Sequence, residues 1–304
     1  GCAMAIIGMG KLGGAEMTAT SDLDLIFVYS TPPEGAHSDG QRPLPAPQYF
    51  ARLSQRLIAA LTAPTSEGRL YEVDMRLRPS GKAGPIAVSA ATFARYQRDE
   101  AWVWEQMALT RARAVAGPLE LTELIEATIR SVLTKPRNDA ELVTDVAVMR
   151  NKMAAEHPTR SLWEPKHLRG GLVDIEFIAQ YLQLREAYAQ PSVLSPNTAE
   201  ALSRLHSADV LPADVAHELT EALLLLQSVQ ARIRLNIGNA ISAEGGADAP
   251  PALRLAVAGI AGLDFNALVE ALEQAAAHVR EHFDTLVEAP AALLASVSAE
   301  QDDS

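Results

Sequence analysis

Within its first 29 residues the chain commits to a strand, a glycine turn, a short connector and a second strand that opens on two acids. The turn is Gly8-Met9-Gly10-Lys11-Leu12-Gly13-Gly14, and the second strand runs through Ser21-Asp22-Leu23-Asp24-Leu25-Ile26-Phe27-Val28-Tyr29. Side chains on a strand alternate between faces. Asp22 and Asp24 therefore point one way, while Leu23, Leu25 and Phe27 point into a core. Two carboxylates side by side repel unless something positive sits between them, and hard divalent cations take oxygen ligands. A glycine-rich turn just upstream brings backbone N–H groups close to phosphate. Together these features point to metal-assisted chemistry on a nucleoside triphosphate.

Two other phosphate motifs fail on context. Gly8, Gly10 and Gly13 satisfy G-x-G-x-x-G after a strand, but that fingerprint must open a full helix before the next strand. Here only residues 14–21 intervene, and the next strand begins with acids. A Walker loop fails because Leu12 follows Lys11.

Composition narrows the partners. Of 304 residues, 38 are acidic and 26 basic, a net charge of −12, which argues against a surface built for nucleic acid. The single cysteine, Cys2, excludes an internal disulfide and a Cys-based zinc site, and fits a reducing cytosol. No apolar run approaches the roughly 18 residues of a membrane span, and no signal peptide is visible. The expected location is cytoplasmic. The chain opens on a core strand with no initiator Met and reads as a piece of a longer protein.

Periodicity predicts strands at 3–8 and 22–29, a surface loop from Thr31 to Pro47 and a helix over 47–62. Residues 69–79 alternate, with Val73, Met75 and Leu77 on one face and Glu72, Asp74, Arg76 and Arg78 on the other, so a strand is expected there. A turn over 80–84, a short strand at 85–88 and a helix N-capped by Ser89 follow. A further helix containing Trp102, Trp104 and Met107 is expected to run to about Val115, with the tryptophans in the core. From Pro118 only helical patterns remain, at 119–134, 139–156, 171–189, 197–208, 212–236 and 264–288, punctuated by a loop at Ala243–Pro251. This places a catalytic part at 1–117, a helical bundle at 118–288 and a polar tail at 289–304.

Asp74 supplies a third acid on a second strand. Three carboxylates on two strands can hold two metal ions, which clamp the attacking and leaving oxygens of an in-line displacement. Glu72 competes for the third role but reads as a surface salt-bridge partner. Arg76 and Arg78 serve either as triphosphate contacts or as internal partners of Asp74. Lys11 is either a phosphate contact or a solvated loop residue, and Lys82 is expected to be exposed. Glu105, Arg111 and Arg113 either line a cleft or, as the safer assumption, form helical surface pairs. Gly170-Gly171 open a long helix with Asp174 and Glu176 in its first turns. Acids are favoured at a helix start, and a helix start able to touch nucleotide or metal is the other reading. The seven histidines show no ligand cluster, and His278 and His282 read as surface residues.

The combination of Gly10-Lys-Leu-Gly-Gly14 with Ser21-Asp-Leu-Asp-Leu-Ile-Phe27 resembles the polymerase-β-like nucleotidyltransferases, and more narrowly the bacterial glutamine synthetase adenylyltransferase family. Val73-Asp-Met-Arg-Leu-Arg-Pro79, Trp102-Val-Trp-Glu-Gln-Met-Ala-Leu-Thr-Arg-Ala-Arg113 and Gly170-Gly-Leu-Val-Asp-Ile-Glu-Phe177 extend the likeness to about residue 190. The resemblance implies an α+β nucleotidyltransferase domain, with a small mixed sheet and helices, followed by an all-helical bundle. It implies transfer of AMP from ATP to a tyrosine of glutamine synthetase in the control of nitrogen assimilation, and the PII signalling protein as regulator of the full-length enzyme. Asp22, Asp24 and Asp74 would hold Mg²⁺ or Mn²⁺. Gly13 and Gly14 would hold the triphosphate, with Ser21, Lys11, Arg76 and Lys166 as further nucleotide contacts. Such proteins pair a half that adds AMP with a half that removes it by phosphorolysis. Leu70-Tyr-Glu-Val-Asp74, Ala101-Trp-Val-Trp-Glu105 and Val173-Asp-Ile-Glu176 resemble the adding half, whereas Met75 and Gly84-Pro85 resemble the removing half. Another protein nucleotidyltransferase, such as a uridylyltransferase, and a catalytically dead binding module are the remaining alternatives.

Overall fold

The computed structural model describes residues 2–32, 35–236 and 250–302. It divides into two compact units, Gly1–Lys135 with Ser195–Asn197, and Pro136–Leu194 with Thr198–Ser304.

The first unit is α+β. Its elements in order are β1 (Ala3–Gly8), α1 (Gly10–Gly13), β2 (Leu23–Ser30), α2 (Ala46–Leu61), β3 (Pro64–Thr65), β4 (Gly68–Arg69), β5 (Val73–Asp74), β6 (Ala87–Ser89), α3 (Ala90–Asp99), α4 (Val103–Leu109), β7 (Arg113–Ala116) and α5 (Leu119–Leu133). The sheet is mixed, in the order β5-β2-β1-β7. β1 runs antiparallel to both β2 and β7, whereas β5 and β6 lie parallel to β2, end to end along its other edge. One face of β2, formed by Leu23, Leu25, Phe27 and Tyr29, packs with Ala46 and Phe50 of α2. Tyr29 stacks on Phe50 at 4.6 Å. On the other face Ile26 and Val28 are equally buried. Towards the strand start that face passes to half-buried Asp24 and exposed Asp22. The apolar strand thus ends on an acidic edge.

Four expectations give way in this unit. The segment 69–79 is not one strand: only Val73–Asp74 pairs, with Leu23–Asp24, before the chain turns. Asp74 itself breaks the ladder, since its Oδ1 accepts the N–H of Arg76 at 2.8 Å, and such local side-chain bonds compete with sheet pairing. The helix through Trp102 ends at Leu109, and the chain returns as β7 to pair the open edge of β1. Its tryptophans are not core: Trp102 is 71% exposed and Trp104 38%, while Met107 and Leu109 are buried. Finally, α5 belongs with this unit although the strand signal ends before it, because Leu121, Ile125 and Ile129 face β1, β7, α3 and α4.

The second unit contains α6 (Asp139–Glu156), α7 (Leu172–Glu186), α8 (Thr198–Ser207), α9 (Ala213–Asn236), α10 (Pro251–Val257), α11 (Phe265–Phe283) and α12 (Ala289–Asp302). Among the described residues it has no strand. The expected loop at Ala243–Pro251 lies outside the described residues over 243–249, and Pro251 already begins α10. The stretch expected to be a polar tail is helical, as α12, and packs on α6 with Ala291 buried. A π turn at Asp284–Glu288 joins α11 to α12. It precedes Pro290, which has no N–H for an unbroken α-helix. His278 and His282 of α11 reach Glu218 of α9 at 3.9 and 2.7 Å. No described helix is long and apolar enough to cross a membrane.

Candidate active site

The acids gather where β2 begins. Parallel pairing sets Asp24 directly beside Asp74, one strand over, and strands lie about 4.8 Å apart. Asp22 lies exposed two residues earlier, just before the strand begins. The backbone fixes this edge, since Leu23 N–H donates to Glu72 O at 2.9 Å and Met9 N–H to Asp24 O at 2.9 Å. Both oxygens of Asp74 are engaged by Arg76: Oδ1 by its N–H and Oδ2 by Nε at 2.6 Å. Partial burial raises the Asp74 carboxyl, but the Arg76 hydrogen bonds and the charges of Arg76 and Lys82 outweigh it and hold the group below the usual carboxylate range. The Arg76 guanidinium is raised chiefly by its bond to Asp74 and by that charge, with further contributions from Asp24 and Asp22. All three acids therefore act on this one cation.

The neighbouring charges have structural employment. Arg78 donates to the carbonyls of Met75, Lys82 and Gly84, which pins the turn after β5. Glu72 pairs with Arg69 on the surface at 2.7 Å, as expected of a salt-bridge partner. Lys82 is exposed, as expected.

The glycine turn approaches the acids at Gly10. A Cβ there would lie 2.5 Å from Asp24 Oδ2, and Gly10 has φ +51°, a conformation side chains other than glycine's rarely adopt. The Gly13 and Gly14 amides donate to Met9 O and Gly10 O, both at 3.0 Å, and so close the turn. A Cβ on Gly13 would meet Arg111 O at 1.8 Å. Their requirement for glycine is met by close packing. Ser21 is buried, with Oγ accepting from Thr18 N at 3.0 Å and sharing a hydrogen with Thr18 Oγ1 at 2.8 Å. It closes the connector. Lys11 lies half-buried in α1.

Residues expected to be helix surface hold this turn. Arg113 donates to Gly13 O and Leu12 O, both at 3.1 Å. Arg111 forms a buried ion pair with Glu16 at 2.5 Å, and Asn197 donates to Gly14 O at 3.0 Å. Glu105 is buried, accepting from Tyr96 Oη at 2.7 Å and from Trp102 N at 3.0 Å. Nothing in the local sequence marked these partners, because each acts across many intervening residues or across the end of a helix.

Residues 1–128 match the family model for glutamate-ammonia ligase adenylyltransferase, and residues 145–287 match the model for GlnD PII-uridylyltransferase. A bifunctional glutamine synthetase adenylyltransferase/adenylyl-removing enzyme from Rhodopseudomonas palustris strain TIE-1 is 44% identical over 93% of this chain and 28% of its own length. A protein of the same name from Xanthobacter autotrophicus is 44% identical over 96% of the chain and 29% of its length. One from Bradyrhizobium diazoefficiens is 45% identical over 93% and 28%. The chain is thus similar, over nearly its whole length, to one part of proteins named glutamine synthetase adenylyltransferase/adenylyl-removing enzyme. It spans a little over a quarter of the length of the curated relatives it matches.

The first unit brings together Asp22, Asp24, Asp74, Arg76 and the Gly10–Gly14 turn. Lys166 lies on the second unit, exposed, its carbonyl accepting Val173 N–H at 3.2 Å. Asp174 is not open to a ligand. It is fully buried, with its carboxylate bonded to Arg150 Nε and Gly170 N–H. The Gly170-Gly171 pair answers close packing, since a Cβ on Gly170 would lie 1.9 Å from Ala276 O.

Among the described residues no three His, Cys, Asp or Glu side chains converge to hold a metal ion. The donor set nevertheless suits a hard divalent cation in kind, with three carboxylates at one sheet edge. It suits one in charge as well, because Arg76 already supplies the positive charge on which Asp74, Asp24 and Asp22 act.

Proposed function

We propose that this chain is a nucleotidyltransferase half that transfers AMP from ATP to a tyrosine hydroxyl of glutamine synthetase and releases pyrophosphate, with the first unit as its catalytic part. The observation that carries the reading is the pairing of Asp24 with Asp74 beside Asp22, at the point where Gly10 of the turn meets Asp24. Similarity to the named adenylyltransferases, and the match of residues 1–128 to the adenylyltransferase model, support the reaction class and the partner. The match of residues 145–287 to a PII-uridylyltransferase model supports PII as regulator of the full-length protein.

Asp22, Asp24 and Asp74 would hold Mg²⁺ or Mn²⁺. Bound there, the cation supplies neutralisation of phosphate charge and polarises the phosphoryl oxygens. A tyrosine hydroxyl has an ordinary pKa of about 10, so its proton must be drawn off near neutral pH. Asp74, held below the usual carboxylate range, is ionised there, takes the phenolic proton as the new bond forms and passes it on to solvent. The tyrosine oxygen bonds to the α-phosphorus as the bond to pyrophosphate breaks. Asp24 and the Gly10 turn set the approach, while Arg113, Arg111 and Asn197 keep the turn in place.

The test is incubation with ATP labelled at the α-phosphate, Mg²⁺ and unmodified glutamine synthetase. Label should appear on a partner tyrosine, and Asp22→Asn or Asp24→Asn should reduce it to background with an unchanged circular dichroism spectrum. Full activity in either variant overturns the metal assignment. The likeness of Met75 and Gly84-Pro85 to the removing half favours a second reading. Phosphate-dependent release of ADP from adenylylated glutamine synthetase would establish that direction instead.

A further inference from the structure

The segment after β5 carries two arginines with opposite fates. Arg78 is built into the turn through three backbone carbonyls. Arg76 has its side chain 73% exposed and spends its guanidinium on Asp74, through Nε at 2.6 Å and a terminal nitrogen at 2.5 Å. Asp74 is the fixed member of that pair. Its side chain is only 19% exposed, and its backbone is paired in the sheet beside Asp24. An ion pair with one anchored and one solvated partner opens by moving the solvated one alone. Exposed pairs of this kind are worth little, well under a tenfold change in an equilibrium constant. A divalent cation gathers the same oxygens with twice the charge.

We propose that Arg76 is a metal-competing counter-ion, which occupies Asp74 and steadies the three carboxylates in the metal-free chain, and which a divalent cation displaces from Asp74. The proposal rests on the reading of Asp74 as a metal ligand. It assigns Arg76 a positioning role: a purely structural bond to Asp74 would help metal binding, whereas a competing one opposes it. The sign of the effect therefore separates the two. The displaced guanidinium, still beside the acidic edge, becomes free to meet the phosphates of the incoming nucleotide.

Mn²⁺ alone, without nucleotide, is titrated onto the full chain at low ionic strength, with free Mn²⁺ read by its electron paramagnetic resonance signal. Arg76→Gln should bind Mn²⁺ roughly two- to fivefold tighter than the unmodified chain, the range set by the worth of exposed pairs. Arg76→Lys keeps the charge but loses the planar fork and should fall between the two. In an Asp74→Asn background the gain should vanish. If the chain binds Mn²⁺, Asp24→Asn abolishes that binding and Arg76→Gln is equal or weaker, the counter-ion role is overturned while the metal reading stands. An Arg76→Lys affinity outside the range set by the chain and Arg76→Gln overturns the role too. If no form binds Mn²⁺, the metal reading of the acidic edge falls, and this proposal with it.

Discussion

Asp174 sits fully buried with Arg150, itself 1% exposed, and accepts the N–H of Gly170 at the start of α7. Removing one member of such a pair strands the other charge in a low dielectric. Asp174→Asn should therefore cost roughly 3–5 kcal/mol, read as a lower urea midpoint, and a midpoint that stays put would show that Arg150 finds another anion. His167, two residues before Arg169, lies in the same neighbourhood and stacks on His157 at 4.4 Å. Its pKa is pushed down to about 4, first by burial and then by the charges of Lys166, His157 and Arg150, with Glu176 opposing. The unfolded chain, with histidine near 6.5, binds more protons between about pH 6.5 and 4. The neutral ring's contribution is thus complete above pH 6.5 and is lost as pH falls through that window. Urea midpoints at pH 7, 5.5 and 4.5 should fall more steeply for the unmodified chain than for His167→Gln, by less than about 1.4 kcal/mol per pH unit. Parallel curves would remove His167 from the account.

The Gly10–Gly14 turn is the element on which packing and chemistry separate. Gly13→Ala drives a Cβ into Arg111 O, 1.8 Å away, and Gly8 O, 2.5 Å away. It should cost about 1–3 kcal/mol or more, seen as a lowered melting temperature whether or not nucleotide is present. Gly10→Ala instead strains a left-handed residue by about 1–2 kcal/mol and presses on Asp24, so metal binding should suffer beyond the loss of stability. If Gly13→Ala melts normally yet loses ATP, the phosphate contact first expected of Gly13 is restored. Long periodic elements were legible in the sequence. α2, α6 and α9 follow their expected bounds to within a residue or two, α11 begins as expected but ends at Phe283 where a π turn takes over, and Ser89 caps α3 as expected, accepting Thr92 N–H at 3.1 Å. Short elements were not. The Asp74 side chain bends its own strand, and β7 forms because β1 offers an open edge, a fact of tertiary structure. The sequence expectation of Asp74 on a strand beside the first acids matches the structure at Asp24, which pairs with Asp74, while Asp22 lies just before the strand. The supports from Arg113 and Asn197 were not legible, since they bond backbone carbonyls, which no residue pattern marks, and Arg111 pairs with Glu16 across 95 residues of sequence.

At the scale of the whole chain, charge sets a condition on any anionic substrate. The chain carries −12, and the acidic edge adds local repulsion to a triphosphate. Divalent cation must therefore enter with the nucleotide or before it. Equilibrium dialysis should show ATP bound in Mg²⁺ and lost in excess EDTA, and ATP bound equally well in EDTA would mean that the acids are not its anchor. The rate carries a separate signature. Long-range repulsion between like-charged partners is screened as the Debye length shrinks from about 30 Å at 0.01 M salt to about 8 Å at 0.15 M. Short contacts inside the site are screened much less. Stopped-flow association of Mg·ATP should accelerate by a factor of roughly two to five over that range, the reverse of a nucleic-acid-binding surface, whose affinity falls with salt. A rate that falls with salt would mean that a local basic surface governs encounter despite the net charge. Arg76, 73% exposed at the acidic edge, would then be the first residue to neutralise.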